Sequence, residues 1–154
     1  YPLRDKSGKP SGVSVVVAES KPGRASLPKF VEPVGLNNLR GWGSVDRERI
    51  FVVHNPAGAD VDGMVITEVD TRDVDEIGGN VEARPVSKEG NPTVTSGSSG
   101  AMVCVTSQNY LDGAQVGLVQ EAKNLENASD FQFEPFPEDI AKEVEAVIKT
   151  ERGK

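Results

Sequence analysis

The 154 residues hold one histidine, His54, and one cysteine, Cys104, so acid–base and nucleophilic chemistry have few places to start. The most suggestive string is Thr95-Ser96-Gly97-Ser98-Ser99-Gly100, in which glycines flank a serine and let the backbone turn sharply around it. A serine hydroxyl attacks a carbonyl only when a neighbouring base takes its proton. His54, 45 residues ahead of Ser99, is the one imidazole able to do so, with Asp70, or else Asp60, Asp62 or Asp73, as the carboxylate that orients it. Against this stands the reading of a flexible Ser/Gly connection between strands.

Cys104 paired with His54 is a second nucleophile, because an adjacent imidazole favours the thiolate. Its setting in Ala101-Met102-Val103-Cys104-Val105 is an apolar strand, where a cysteine reads as a small core residue. The acidic tract Asp60, Asp62, Glu68, Asp70, Asp73, Asp75 and Glu76 offers oxygen ligands, but neither Asp60 nor Asp73 opens a calcium-loop frame: position twelve falls on Thr71 or Arg84. It reads as a solvated acidic edge that discourages strand-to-strand association. The chain has no phosphate loop, dinucleotide fingerprint, paired-histidine zinc motif or Cys-x-x-Cys, so neither metal nor cofactor is expected.

The elements that must position these groups are short strands. Val13 to Ala18 holds the β-branched run Val15, Val16 and Val17, and its continuity predicts burial on both faces. From Ile50 follow Ile50–Val53, Met64–Val69, Val81–Val86, Met102–Thr106 and Val116–Gln120, separated by Asn55-Pro56, Gly78-Gly79, Gly90-Asn91-Pro92, Gly97 to Gly100 and Asp112-Gly113. Strands at this spacing, without helical periodicity between them, predict a mainly β chain: an antiparallel sandwich or small barrel, with one C-terminal α-helix. A doubly wound α/β layout is disfavoured.

That helix is read over residues 137 to 152, since Ile140, Val144, Val147 and Ile148 share one face, with Pro137 in the first turn and Lys149 and Arg152 at the far end. Phe131, Phe133 and Phe136 just ahead anchor it on the sheet. Residues 27 to 49 form a long irregular connection, expected to pack its apolar side chains on the body, with partner contact as the second use. The only tryptophan, Trp42, lies there between Gly41 and Gly43, either as an interface anchor or folded into the core. The whole is read as one domain spanning residues 1 to 154.

Charge adds a polarity. Residues 1 to 50 carry nine Lys/Arg and five Asp/Glu, net +4, while the remainder carries eight and nineteen, net −11, for a total of −7. Such a chain suits head-to-tail self-association or a partner of complementary field. Duplex nucleic acid is disfavoured, because Arg40, Arg47 and Arg49 make only a short basic stripe broken by Asp46 and Glu48. No run of about 20 apolar residues is present to span a membrane as a helix, and no intact secretory signal opens the chain. Tyr1 is no translation start, so the chain reads as processed or excerpted, and a targeting signal removed earlier is compatible with it. One cysteine fits a reducing compartment such as the cytoplasm.

Two segments carry local resemblances to known families. Gly97-x-Ser99-Gly100 resembles the Gly-Asp-Ser-Gly nucleophile turn of chymotrypsin-like proteases, in which backbone N–H groups before the serine form the oxyanion hole and an earlier histidine takes the proton. The chain departs from that family in three ways. Only 45 residues separate His54 from Ser99, where the family builds a full first barrel and a crossing between barrels; Ser98 stands in place of the acid; and Val52-Val53 replaces the small residues before the histidine. Separately, Asp112 to Leu118 resembles the Gly-Ala-x-Val-Gly turn and strand of small phage head-decoration proteins. The balance favours a non-enzymatic domain for protein–protein binding or structural assembly, such as a component of a virion or other multi-subunit particle, with contacts at Trp42, Arg40, Arg47, Phe131, Phe133 and Phe136. The alternative is a small serine hydrolase using Ser99, His54 and Asp70.

Overall fold

A computed structural model describes residues 1–4, 8–17, 38–44, 49–55, 65–77, 79–95, 98–106, 114–121 and 130–154. The strands are β1 (Pro2–Arg4), β2 (Pro10–Ser14), β3 (Arg49–His54), β4 (Val65–Ile77), β5 (Asn80–Pro85), β6 (Met102–Thr106), β7 (Ala114–Glu121) and β8 (Phe131–Pro135), followed by α1 (Ile140–Arg152). Strands β3 to β8 close into a six-stranded antiparallel barrel in the order β3-β4-β5-β8-β7-β6, with β6 returning to β3. The return of β6 to the side of β3 gives the first four barrel strands a Greek-key order. Closure leaves the barrel without a free edge, so its backbone groups pair internally.

Side-chain alternation explains why the barrel closes. Ile50 and Val52 from β3, Val69 from β4, Val81 and Ala83 from β5, Val103 and Val105 from β6, Val116 and Val119 from β7, and Phe131 and Phe133 from β8 meet in one buried cluster with Val94 and Trp42. Inward residues recur every second position along a strand, and the β-branched ones suit a pleated wall. His54 and Thr67 continue the inward rows of β3 and β4, so two polar side chains stand at the end of otherwise aliphatic inward rows on these two strands.

A second cluster lies outside the barrel wall, where Leu3, Val13, Phe136 and Ile140 pack with Val15, Leu39, Leu118 and Val144. The β1–β2 hairpin and α1 are therefore held to the barrel by apolar contact, with Leu118 and Phe136 as its contribution. Helix α1 starts at Ile140, three residues after the expected Pro137; the chain turns first through an Ile140 N–H to Pro137 carbonyl bond of 3.1 Å. No described helix is long and apolar enough to cross a membrane.

The expectation for Val13 to Ala18 is corrected. The strand covers Pro10–Ser14, while Val16 is 85 % and Val17 45 % exposed. Among the described residues its strand partner is the three-residue β1; Val15 still packs in the outer cluster, while Val16 and Val17 lie beyond it in solvent. Of the long 27–49 connection, residues 38–44 and 49 are described. Leu39 bridges to Gln115 and Trp42 enters the barrel core, while Phe30, Val31, Val34, Leu36 and Arg47 lie outside the described residues.

Candidate functional site

One end of the barrel gathers the chemistry. His54 ends β3 opposite Val65, and Thr67 stands opposite Val52 on the adjoining β4, so both point into the barrel across a diagonal of the sheet. The connection from β5 to β6 returns over this end. It brings the Pro92 carbonyl to 2.9 Å from Thr67 Oγ1 and Ser98 Oγ to 2.8 Å from His54 Nδ1, while His54 Nε2 lies 2.7 Å from Thr67 Oγ1. His54 and Thr67 are fully enclosed and Ser98 is 2 % exposed.

The proton positions follow from the chemistry of the partners. A carbonyl only accepts, so the single Thr67 hydroxyl proton points at Pro92 and its oxygen must accept from His54 Nε2–H. Burial lowers the imidazole pKa and keeps the ring neutral, because a charged ring would lose its hydration there. A neutral imidazole with its proton on Nε2 leaves Nδ1 as acceptor, so the Ser98 hydroxyl donates to it. The relay runs from Ser98 through His54 and Thr67 to the Pro92 carbonyl.

The following residues form the turn itself. The Ala101 N–H donates to the Ser98 carbonyl at 3.0 Å, making Ser98 to Ala101 a four-residue turn with Ser99 and Gly100 at its centre. Gly100 has φ +84°. A negative φ at Ser99 followed by a positive one fits a type II turn, which favours glycine at its third position. Gly100 N–H donates to Val119 O at 2.7 Å and Val119 N–H to Ala101 O at 2.9 Å, riveting the turn to β7. Ser98 therefore points inward, while Ser99 is exposed at the apex.

His54 meets a serine of the expected string, but its bond is to Ser98, and both ring nitrogens are engaged by Ser98 and Thr67. Asp70 does not orient it: it pairs with Arg72 through Nε at 2.9 Å and Nη2 at 2.8 Å, and that guanidinium holds its carboxyl down at about 2. This local pair sits where the β4–β5 register shifts between Val69 and Val74. Asp60 and Asp62, and the side chain of Asp73, lie outside the described residues. Cys104 pairs across the sheet with Phe51 and alternates with the inward Val103 and Val105, so it faces away from His54; burial pushes its thiol pKa up.

The proposed contact residues also divide. Arg40 is exposed. Trp42, Phe131 and Phe133 are in the barrel core and Phe136 is under the hairpin and helix, so these four rings serve packing rather than a free contact surface. Trp42 lies edge-on to Phe133 at 5.1 Å between centroids and donates from Nε1 to Glu76 Oε1 at 2.9 Å. Beside it, at the end of the barrel away from His54, a cavity of about 510 Å³ is lined by Trp42, Phe136, Glu76, Glu134 and Glu138 among others.

Thr67, Ser98 and Pro92 do not stand out in the sequence. The alternation Ile50, Val52, His54 and Thr67, Val69 carries the signal, since it places both polar residues on the inner face. Comparison of the chain with protein-family models, curated protein sequences and solved structures returned no match.

Proposed function

We propose that this barrel presents Ser99 as the nucleophile of a serine hydrolase, with a proton acceptor other than His54. The observation that carries the reading is the opposed setting of two adjacent serines: Ser98 is locked inward on a neutral imidazole, while Ser99 stands in solvent at the apex of a turn riveted to β7. A hydroxyl in that position can meet a substrate carbonyl. The Gly97-x-Ser99-Gly100 resemblance to the chymotrypsin-like nucleophile turn agrees with it, and so does the antiparallel barrel on which the turn is mounted.

In that family the histidine belongs to a first barrel, and the base here is assigned to a second unit, supplied by flanking sequence or by another chain. Ser99 Oγ forms a bond to the carbonyl carbon as the base takes the hydroxyl proton. The same proton passes to the leaving amine or alcohol as its bond to carbon breaks, and water then hydrolyses the acyl-serine. The Ser99 amide is the donor assigned to the developing oxyanion.

The test is reaction with a fluorophosphonate probe of the protein isolated from its source, followed by peptide mapping. The adduct is expected on Ser99 and absent from Ser99→Ala; an unlabelled parent, or an adduct on Ser98, overturns the reading. A second reading, contact with a protein partner or another copy of the chain, is favoured by the exposed apolar side chains of Val16 and Val17. Its measure is mass in solution, where a strict monomer that captures nothing counts against it.

A further inference from the structure

We infer that His54 is a positioning residue for the Ser99 turn: a neutral imidazole whose Nδ1 holds the Ser98 hydroxyl inside the barrel end and so fixes Ser99 outside it. The inference rests on the Ser99 reading for its catalytic consequence, while the bracing itself stands on geometry. Three segments meet in one relay, since β3 provides His54, β4 provides Thr67 on Nε2, and the β5–β6 connection provides Ser98 on Nδ1 and the Pro92 carbonyl that Thr67 donates to. Each of these hydrogen bonds joins the connection or β4 to the relay within a buried site, where an unmade bond carries a large desolvation cost.

The bonds give the ring a role that an apolar residue could not fill, and enclosure disfavours a charged one. Thr67 has committed its proton to Pro92, so His54 donates to it from Nε2–H; a neutral ring then has Nδ1 left as an acceptor, and the Ser98 hydroxyl donates to it. One neutral imidazole does both at opposite nitrogens. The Ser98 carbonyl in turn anchors the turn through Ala101, and the Gly100 N–H ties it to Val119. Releasing Ser98 from His54 removes the side-chain bond of the first residue of the turn and leaves its backbone bonds to Thr95 and Ala101 to hold the turn whose second residue is Ser99.

The single histidine makes the test direct. In protein labelled with ¹⁵N, the imidazole spectrum at neutral pH is expected to show an unprotonated Nδ1 and a slowly exchanging proton on Nε2. A proton on Nδ1, or an imidazolium at that pH, overturns the inference. His54→Leu is expected to speed hydrogen exchange at the Gly100 and Ala101 amides by tenfold or more and to slow fluorophosphonate capture by Ser99 similarly. His54→Gln, which offers an amide acceptor and donor, should recover part of both. If His54→Leu does not fold, His54→Gln and Ser98→Ala carry the comparison: exchange and capture both at parental values in the two variants overturn the brace. Where His54→Leu folds, its effect in a Ser98→Ala background should be small, and an undiminished effect rejects the route through Ser98. An unlabelled parent with the expected tautomer and exchange pattern removes the Ser99 reading but retains the brace, so the two failures are distinguishable.

Discussion

Arg84 grips Asp130 with two prongs, Nε at 2.9 Å from Oδ1 and Nη2 at 3.3 Å from Oδ2, across the seam between β5 and β8. Asp130 immediately precedes Phe131, which pairs with Ala83, so the ion pair extends the ladder at the barrel end. The Asp130 side chain is 8 % exposed and that of Arg84 40 %. Bidentate geometry and a buried carboxylate make this pair worth more than an ordinary surface bridge, while the partly wet guanidinium limits the loss. Asp130→Ala is expected to destabilise by about 1–3 kcal/mol in urea unfolding. Asp70→Ala, which breaks a pair at an exposed bulge, should cost clearly less, and equal costs would reject the ranking.

Acid should loosen the barrel through His54 before it touches the carboxylates. The folded ring has a pKa below 6.5, so between that depressed value and 6.5 the unfolded chain binds more protons. Stability therefore rises with pH across this window, is complete above it, and falls as pH drops from 6.5 toward the folded value. Glu68, held below 4.5 chiefly by its hydrogen bond to Lys88, gives a separate loss at lower pH. Unfolding free energies at pH 7.5 and pH 5 in parent and His54→Gln isolate the imidazole. The parent should lose more stability than the variant, and parallel profiles would show that His54 titrates alike in both states.

Much of the barrel is legible in the sequence because its inward rows are aliphatic. Met102–Thr106 is the strand the sequence predicts, and β3, β5 and β7 shift by at most two residues at their ends. Strand β8 is the one the sequence hides: Phe131 and Phe133 read as anchors for the helix, although Phe131-Gln132-Phe133-Glu134 alternates with period two. Three aromatics close to a helix start outweigh a four-residue alternation. Barrel against sandwich is not decidable from sequence either, because closure depends on β6 returning to β3, a long-range pairing that local periodicity does not encode. At the site, Ser99 is singled out by its glycines. Its inward neighbour Ser98 is not, because only the register of β3 and the returning connection place it on the imidazole.

Gly117 tests how tightly β7 and β8 are joined. A Cβ there would stand 2.5 Å from the Glu134 carbonyl oxygen and 3.0 Å from Phe133 Cδ2, both on a strand fixed by its own pairing. Gly117→Ala must push β8 away or shift its backbone, and overpacking of this kind costs about 1–3 kcal/mol. Gly79 is the comparison. It sits at φ +89° with nothing within 4 Å of where an alanine methyl would stand, so Gly79→Ala carries only conformational strain, on the order of 1 kcal/mol. Urea midpoints should fall further for Gly117→Ala, and the reverse order would contradict the close approach.

Trp42 separates a packed ring from a waiting contact. It is 3 % exposed, set edge-on against Phe133, with its indole N–H on Glu76. Removing a buried aromatic of this size leaves a cavity, and Trp42→Ala is expected to destabilise by about 3–5 kcal/mol. Trp42→Phe keeps most of the ring contact and loses the indole hydrogen bond to an exposed carboxylate that water can solvate, so it should cost about 1 kcal/mol. As the only tryptophan, Trp42 also reports on itself: emission should be blue-shifted in the native protein and move red in the same urea transition that unfolds the strands. A residue held ready for a partner would show solvent-exposed emission, and its replacement by alanine would leave the transition where it was.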